Sequence, residues 1–312
     1  MKFDRNAKMA NFTDIAKTQG ARRHAALSRG AMLLAGFAIV ADLALGVLAA
    51  QAQAGPAAAA FLPHRAVYDL SLLKSRRSPA VDAARGRILY NFKGNECEGY
   101  TTEFRQVSEV ISGDGPTTLA DLQSISFEDA EGKTYRFRVE SKTNGKDVSV
   151  VEGVAERGED GVNVRLKEPS NKTIKLGPEI VFPTQQVTRI IKAAREGKSL
   201  LELSVYDGSD NGEKVYKTLT VIGAPIAADA PQTDSDAATG KDGMTQSKRW
   251  PVTVSYYDSS ESNAKGEQTP VYAMSFQLYD NGVSRALKLD YNDFVIAGKI
   301  SSFETHPVKS CK

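Results

Sequence analysis

Residues 276–289 read FQLYDNGVSRALKL, and this stretch decides the fold. Apolar and polar residues alternate at Phe276–Leu278 before an Asn-Gly pair, and they alternate again at Leu287–Leu289 after it. A period of two is typical of a β-strand with one apolar and one polar face. Asn and Gly tolerate the positive φ angles that tight hairpin turns require. The stretch therefore predicts a β-hairpin.

The same pattern recurs along the chain. Alternating apolar residues mark further strands within residues 66–72, 135–139 and 148–155. Asn-Gly pairs at 144–145 and 211–212 also fall between strand-like runs, and each indicates another hairpin. About 13 or 14 candidate strands follow from this interpretation. The sequence predicts an all-β body, with two β halves wrapped together.

One segment has helical spacing instead. Its apolar residues recur at the i, i+3, i+4 and i+7 positions of one helix face, namely Val187, Ile190, Ile191 and Ala194. Thr184 is the predicted N-cap, and Gly197 is the predicted C-terminal stop. We expect one amphipathic helix over residues 184–196 that covers an apolar sheet face.

Residues 224–248 are rich in Ala, Asp, Pro, Thr, Gly and Ser, and they show no periodic apolar pattern. The strand pattern resumes at once with Trp250. We therefore interpret the segment as a long flexible loop within a single domain of residues 55–312, and not as a linker between domains.

Residues 1–54 are typical of a secretory leader. Basic residues up to Arg29 precede the apolar run Ala31–Ala50, and a small-x-small exit ends at Ala54. An uncleaved membrane anchor is the alternative, which Asp42 in the middle of the run disfavours. We expect export to the periplasm with cleavage near Ala54, and no transmembrane segment in the mature protein.

The net charge of the mature protein argues against nucleic acid as a partner. The chain has 40 Lys and Arg against 38 Asp and Glu, and residues 1–54 hold seven of the former and three of the latter. The remainder carries a net charge of −2, whereas a nucleic-acid footprint needs clustered positive charge.

Cys97 and Cys311 are the two cysteines of the chain. An even number in an exported protein favours a disulfide. A metal site that adds His64 or His306 is the alternative, although structural zinc requires four ligands. The sequence predicts no cofactor.

The sequence contains no G-x-S-x-G, H-E-x-x-H, P-loop or dinucleotide-binding motif. Both mature histidines lie near the chain ends and precede or follow a proline, so we interpret them as surface or packing residues. Residues 207–212 match part of a calcium loop, but Thr218 occupies the twelfth position, where a Glu is needed. A polar hairpin turn explains these residues better, and no catalytic residue is predicted.

Aromatic residues cluster in the C-terminal strands. A possible binding surface comprises Trp250, Tyr256, Tyr272 and Tyr279, and Tyr257 lies beside them. Core and cross-strand packing is the alternative, and the pattern favours it.

Several segments together resemble the EipB family of alphaproteobacterial cell-envelope integrity proteins. The similar segments, which span nearly the whole mature chain, are 64–70, 97–100, 205–208, 250–256, 269–291 and the terminal Cys311. The resemblance implies a periplasmic, mainly antiparallel β-spiral or open barrel-like body with a helix and a Cys97–Cys311 disulfide. It also implies a role in envelope-stress resistance and a functional link with a periplasmic tetratricopeptide-repeat protein.

Three functions therefore remain open. The first is a non-catalytic structural or interaction protein that supports envelope integrity, and the sequence favours it. The second is a carrier or sensor of lipid or lipoprotein with a concave apolar β surface. The third, an envelope hydrolase, has the least support.

Overall fold

The computed structural model describes residues 61–76, 81–113, 115, 117–232, 235–259, 268–308 and 311. The predicted leader, residues 1–54, lies outside this range. The described residues form the following elements: β1 (His64–Ser75), β2 (Val81–Asn95), β3 (Gly99–Ser112), β4 (Thr118–Glu128), β5 (Thr134–Thr143), β6 (Asp147–Gly158), β7 (Gly161–Glu168), β8 (Lys172–Leu176), β9 (Ile180–Val181), α1 (Pro183–Arg195), β10 (Leu200–Val205), β11 (Tyr216–Ile222), β12 (Arg249–Asp258), β13 (Tyr272–Tyr279), β14 (Ser284–Asp290) and β15 (Phe294–Thr305).

All of these strands belong to one sheet, in the order β8-β7-β6-β5-β4-β3-β2-β1-β15-β14-β13-β12-β11-β10-β9. Neighbours are antiparallel except β9 and β10. The first strand pairs with the last, from His64 opposite Thr305 to Ser75 opposite Phe294. The sheet therefore curls into a nearly closed barrel whose edges are β8 and β9, and the prediction of an open barrel-like all-β body with one helix is confirmed.

The Asn-Gly pairs mark strand reversals, but not always tight ones. Asn144-Gly145 joins β5 to β6, and Asn281-Gly282 joins β13 to β14. Asn211-Gly212 instead lies in a ten-residue connection, 206–215, between β10 and β11. This loop folds inward, because Tyr206 is fully buried and its hydroxyl donates to the carbonyl oxygen of Gly212 at 2.8 Å.

The predicted N-cap of the helix was wrong. The helix begins at Pro183, so Phe182 is the N-cap, and the backbone N–H of Phe182 donates to Gln185 Oε1. Proline suits the first helical position because its missing N–H would have no helical partner there. The predicted stop at Gly197 agrees with its φ of 73°, which favours glycine.

Helix α1 lies on the concave side of the sheet. Its buried residues Ile190, Ile191 and Ala194 belong to a large apolar core with side chains from β1, β2, β3 and β11–β15. No helix in the described part of the chain is long and apolar enough to span a membrane.

The described residues of the 224–248 segment, 224–232 and 235–248, have no regular secondary structure apart from the bridge of Ile226 to Arg249. The described part of the segment is nevertheless anchored, because Ala238 and Met244 are buried in the large core. Asp236 also forms a buried ion pair with Arg285 of β14 at 2.8 Å. The composition thus predicted the irregular backbone, but it gave no sign of these anchors.

A second, smaller core lies under β5–β7, where β9 and the 206–215 connection approach them. Arg157 of β6 holds this junction. Its guanidinium donates to the carbonyl oxygens of Gly132, Pro178 and Ile180 at 3.2, 3.1 and 2.7 Å, and it lies 5.3 Å from the ring centre of Phe182. One side chain therefore connects the β4–β5 turn to the edge strand β9.

We predict that Arg157→Met lowers the free energy of unfolding by about 2–4 kcal/mol, because it leaves partly buried carbonyl oxygens without donors. Chemical denaturation of the disulfide-intact protein measures this. Arg65→Met, on the exposed face of β1, is the matched control and should change stability by less than about 0.5 kcal/mol. Equal effects of the two substitutions would contradict the role given to Arg157.

Candidate functional site

The structure joins Cys97 to Cys311 in a disulfide with 5.9 Å between the Cα atoms. Cys97 lies in the β2–β3 turn, where Asn95 Oδ1 accepts the backbone N–H groups of Cys97 and Glu98 at 2.9 and 2.8 Å. Both thiols are consumed, so neither can serve as a thiolate metal ligand. Within the described ranges, no group of three or more His, Cys, Asp or Glu side chains could hold a metal ion.

His64 is a packing residue, one of the two roles predicted for it. Its ring is 2 % exposed and lies 5.5 Å from the ring of Tyr90 and 5.4 Å from that of Phe303. Nδ1 is 2.7 Å from the carbonyl oxygen of Leu62. Burial lowers the pKa of His64, so this side chain stays neutral near pH 7. His306 lies nearby, with Nε2 2.7 Å from Asn91 Oδ1.

Two of the four residues in the predicted aromatic binding surface are in the core. Trp250 is 2 % exposed and Tyr279 is 0 % exposed, and the Tyr279 hydroxyl accepts a hydrogen bond from Arg285 at 2.8 Å. They cannot form an exposed surface, because apolar neighbours and the 224–248 segment cover them. For these two residues the packing alternative is correct.

The other two belong to a connected row of rings, which we call the tyrosine arc: Tyr216, Tyr256, Tyr272 and Tyr291. Successive ring centres lie 6.2, 5.8 and 5.2 Å apart. All four side chains are partly exposed. Burial nevertheless raises the pKa of Tyr256 to about 12 and that of Tyr272 well above its ordinary value. Tyr256, Tyr272 and Tyr291 pack against the large core on the concave side of the sheet. We call the concave side beside these rings the inner hollow.

A second wall faces this arc. Gln106 Nε2 of β3 donates to the Tyr291 hydroxyl at 3.4 Å across 185 residues of sequence, so the inner face of β3 and the arc meet over one hollow. Strand register carries this face into β4, β5 and β6. Its partly exposed side chains include hydroxyl groups and also the apolar side chains of Phe104, Leu122 and Val139, which lie between them. The residues with hydroxyl groups are Thr102, Ser124, Ser126, Ser141, Thr143 and Ser149.

Charged residues on the same strands point outward and pair across the sheet. Arg105 binds Asp121 at 2.8 Å, and Arg138 binds Glu152 at 2.9 Å. Exposed ion pairs of this kind add little stability, but they keep the outer surface polar. The sheet therefore separates a charged exterior from an interior wall of hydroxyl, apolar and aromatic groups.

The 206–215 connection brings a carboxylate to the hollow. Asp207 Oδ1 accepts the backbone N–H of Ser209 at 2.9 Å, and burial raises the pKa of Asp207. Burial raises the pKa of Tyr216 and Tyr256, and the charge of Asp207 raises both pKa values further, which places the carboxyl group beside the tyrosine arc. No Lys or Arg within the described part of the chain forms an ion pair with Asp207.

Gln186 of α1 completes this side of the hollow. Its side chain is 7 % exposed and hydrogen-bonds to Tyr256, which opposes the larger effect of burial on the pKa of that tyrosine. The sequence analysis missed both Asp207, which it assigned to a polar turn, and Gln186, which it assigned to a helix face. The pair Tyr206-Asp207, with a large aromatic next to the acid, was the one available signal.

A separate buried carboxylate, Glu128, caps the helix. Its two carboxylate oxygens accept the N–H groups of Thr184 and Gln185 at 2.8 and 3.0 Å, as the helix dipole favours. Burial raises the pKa of Glu128 to about 7, because its effect outweighs that of these hydrogen bonds, which lower the pKa. The folded protein therefore holds a proton on Glu128 between pH 4.5 and 7 that the unfolded chain releases.

We predict that this proton makes stability fall as pH rises from 5 to 8, by up to about 3 kcal/mol. Glu128→Gln should remove that part of the fall, because an amide does not ionise in this range. Urea unfolding at both pH values measures it. The test compares the two proteins with each other, because His64 and Asp207 make the stability of both depend on pH. The lowered pKa of His64 makes stability rise with pH, and the raised pKa of Asp207 makes it fall.

The matched control for this test is Glu131→Gln, an exposed acid in the adjacent turn. Its profile should follow that of the unmodified protein. If Glu128→Gln kept the full pH dependence, Glu128 would be ionised throughout and the assignment would fail.

We predict that Cys97→Ser and Cys311→Ser each lower the free energy of unfolding by about 2–5 kcal/mol, because the bridge closes a loop of 214 residues. The double variant should have the same free energy of unfolding as either single variant, since all three lack the same disulfide. Denaturation curves and thiol labelling of the unmodified protein check this, and labelling of two free thiols in native protein would contradict it.

Comparison with known proteins relates the whole described body to one family. The profile of the EipB-like family matches residues 56–307. A protein of Brucella abortus (strain 2308) named "Cell envelope integrity protein EipB" is 34 % identical over 258 residues, which is 81 % of this chain and 89 % of that protein.

A crystal structure of a β-barrel-like protein of a domain of unknown function, also from Brucella abortus, has the same fold. It superposes with a TM-score of 0.71 at 31 % identity, and the match covers 79 % of this chain and 99 % of that one.

Proposed function

The chain belongs to the EipB-like family, and from this premise we propose that it is a non-catalytic periplasmic protein that supports cell-envelope integrity under stress. The observation that carries the proposal is the 34 % identity, over most of both chains, to a protein named for envelope integrity.

The disulfide supports the proposed location. Disulfides persist in oxidising compartments such as the periplasm and are rare in the cytosol. The leader pattern of residues 1–54, with its proposed cleavage near Ala54, is the route by which the chain would reach that compartment.

We propose that the protein acts by binding another envelope component, with a periplasmic tetratricopeptide-repeat protein as one partner. The inner hollow supports a binding role. It combines desolvated tyrosine rings with polar groups from α1 and the 206–215 connection, as ligand sites commonly do.

A lipid or lipoprotein carrier is the alternative. Native mass spectrometry of protein from its own envelope separates the two, because a carrier retains lipid.

We predict that deletion of the gene in its own host reduces survival on detergent and on cell-wall antibiotics, and that the full chain restores it. Colony counts on graded concentrations measure this. A chain without residues 1–54 is the matched control, and it should fail to restore survival because it stays in the cytosol. Unchanged survival of the deletion strain under all such stresses would sink the proposal.

A further inference from the structure

A groove of about 370 Å³ lies on the outer face of the sheet, on the side opposite the inner hollow, and we call it the outer groove. Side chains of β4, β5, β6 and β7 form most of its lining. Among the outward side chains that line it are Ile125, Phe127, Arg136, Arg138, Val154 and Lys167.

A β-bulge shapes one side of the outer groove. Glu152 of β6 pairs with Glu168 of β7, and Gly153 pairs with Leu166, so Lys167 is an extra residue between the two pairs. A bulge bends its strand and redirects the side chain at that point, and here Lys167 lines the groove. Glycine suits position 153, because a Cβ atom there would lie 2.9 Å from the Arg165 carbonyl oxygen.

The floor of the outer groove is apolar. Phe127 of β4 and Val154 of β6 pair with the two sides of Arg136, and Ile125 of β4 pairs with Arg138. The Ile125 side chain is 58 % exposed, although charged residues surround it on this face of the sheet. Exposed apolar groups with a polar rim are typical of interaction sites.

The rim of the outer groove is positively charged. Three cations line it, Arg136, Arg138 and Lys167, whereas Glu152 is the one acid among the described lining residues. Glu152 is shared, because it lies 2.9 Å from Arg138 and 3.2 Å from Lys167. Arg136 is exposed and forms no ion pair with any residue that the structure describes. The lining therefore has two positive charges in excess, which favours an anionic occupant.

Building on the proposed function, we propose that the outer groove binds an extended acidic segment of another envelope protein. Carboxylates of the segment would pair with Arg136 and Arg138, and an apolar side chain next to them would lie against Ile125. An extended chain has the required spacing. Residues two positions apart on one face of a strand are about 6.6–6.8 Å apart, and this holds both for Arg136 and Arg138 on β5 and for two acids of the segment.

The surroundings of the outer groove argue against a membrane surface as the occupant. A bilayer of anionic lipid would meet the whole outer face of β3–β7, where Asp121, Glu140 and Glu156 lie in ion pairs of their own. These acids would repel it. A single lipid phosphate would also leave one of the two arginines without a new partner. A narrow segment with several acids meets the cations and avoids the neighbouring acids.

The test is fluorescence anisotropy of a labelled peptide, Gly-Asp-Leu-Asp-Phe-Glu-Gly, with the disulfide-intact mature protein at low salt. We expect saturable binding that weakens as salt is added. Arg136→Glu should weaken it about tenfold or more, because an attraction is replaced by a repulsion. Arg65→Glu is the matched control, since it makes the same change of net charge on the exposed face of β1. It should change the affinity by less than about twofold.

A second pair of substitutions tests the apolar floor. Ile125→Ser should weaken binding about threefold or more, because it removes the most exposed apolar side chain of the groove. Leu119→Ser is the matched control, since Leu119 is 44 % exposed on the same face of β4 but lies outside the groove. All four substituted side chains are exposed, so each variant should fold, and circular dichroism checks this.

Three results would overturn the inference. They are no saturable binding of the acidic peptide by folded protein, equal loss with Arg136→Glu and Arg65→Glu, or binding of cardiolipin-containing vesicles, in place of peptide, that Arg136→Glu abolishes. Survival of the deletion strain on detergent separates this inference from the proposed function. Full rescue by an Arg136→Glu chain that no longer binds peptide would refute a role for the groove and leave the envelope role standing.

Discussion

The pairing of β1 with β15 is the constraint on which the rest of the structure depends. These strands lie at opposite ends of the described chain, and their register runs from His64 opposite Thr305 to Ser75 opposite Phe294. Every other antiparallel pair joins strands that follow each other in sequence. Without this one long-range pairing, the strands would form two separate sheets, β1–β8 and β9–β15. The disulfide ties the same region a second time, because it links the segment after β15 to the β2–β3 turn.

A curled sheet of 15 strands cannot be filled by its own side chains. A barrel of about eight strands is just wide enough for that, and width grows with strand number. The chain fills part of the excess with α1, which is about 10 Å across, and another part with the 224–248 segment and the inward 206–215 connection. Each insertion has its own polar anchor. Glu128 binds α1, Arg285 binds Asp236 of the 224–248 segment, and the Tyr135 hydroxyl donates to the carbonyl oxygen of Asp207 in the 206–215 connection. The inner hollow is the volume that these insertions leave.

Local patterns predicted the elements well because their causes are local. Alternation along 276–289 and the helical spacing of residues 187–194 report which faces are apolar, and both elements form as expected. The cap of the helix could not be predicted, since Glu128 lies 56 residues away and only the curl of the sheet brings it to Thr184. Alternation also places Tyr256 and Tyr257 on opposite faces, but it cannot tell which face encloses a hollow. For the same reason, alternation left Trp250 and Tyr279 open between a binding surface and the favoured alternative of core packing.

The polar lining of the hollow is best understood as a departure from the most stable arrangement. Leucine or valine at the positions of Ser124 and Ser141 would bury apolar area and strengthen the fold, whereas serine contributes little packing. Asp207 and Glu128 both have raised pKa values, so ionising either carboxylate at neutral pH opposes folding. For Glu128 this cost has a structural explanation, because its side chain caps α1. The side chain of Asp207 accepts the backbone N–H of Ser209, and the side chain of Gln186 hydrogen-bonds to Tyr256. Groups that weaken a fold without serving it are concentrated at functional sites, and here they converge on the tyrosine arc.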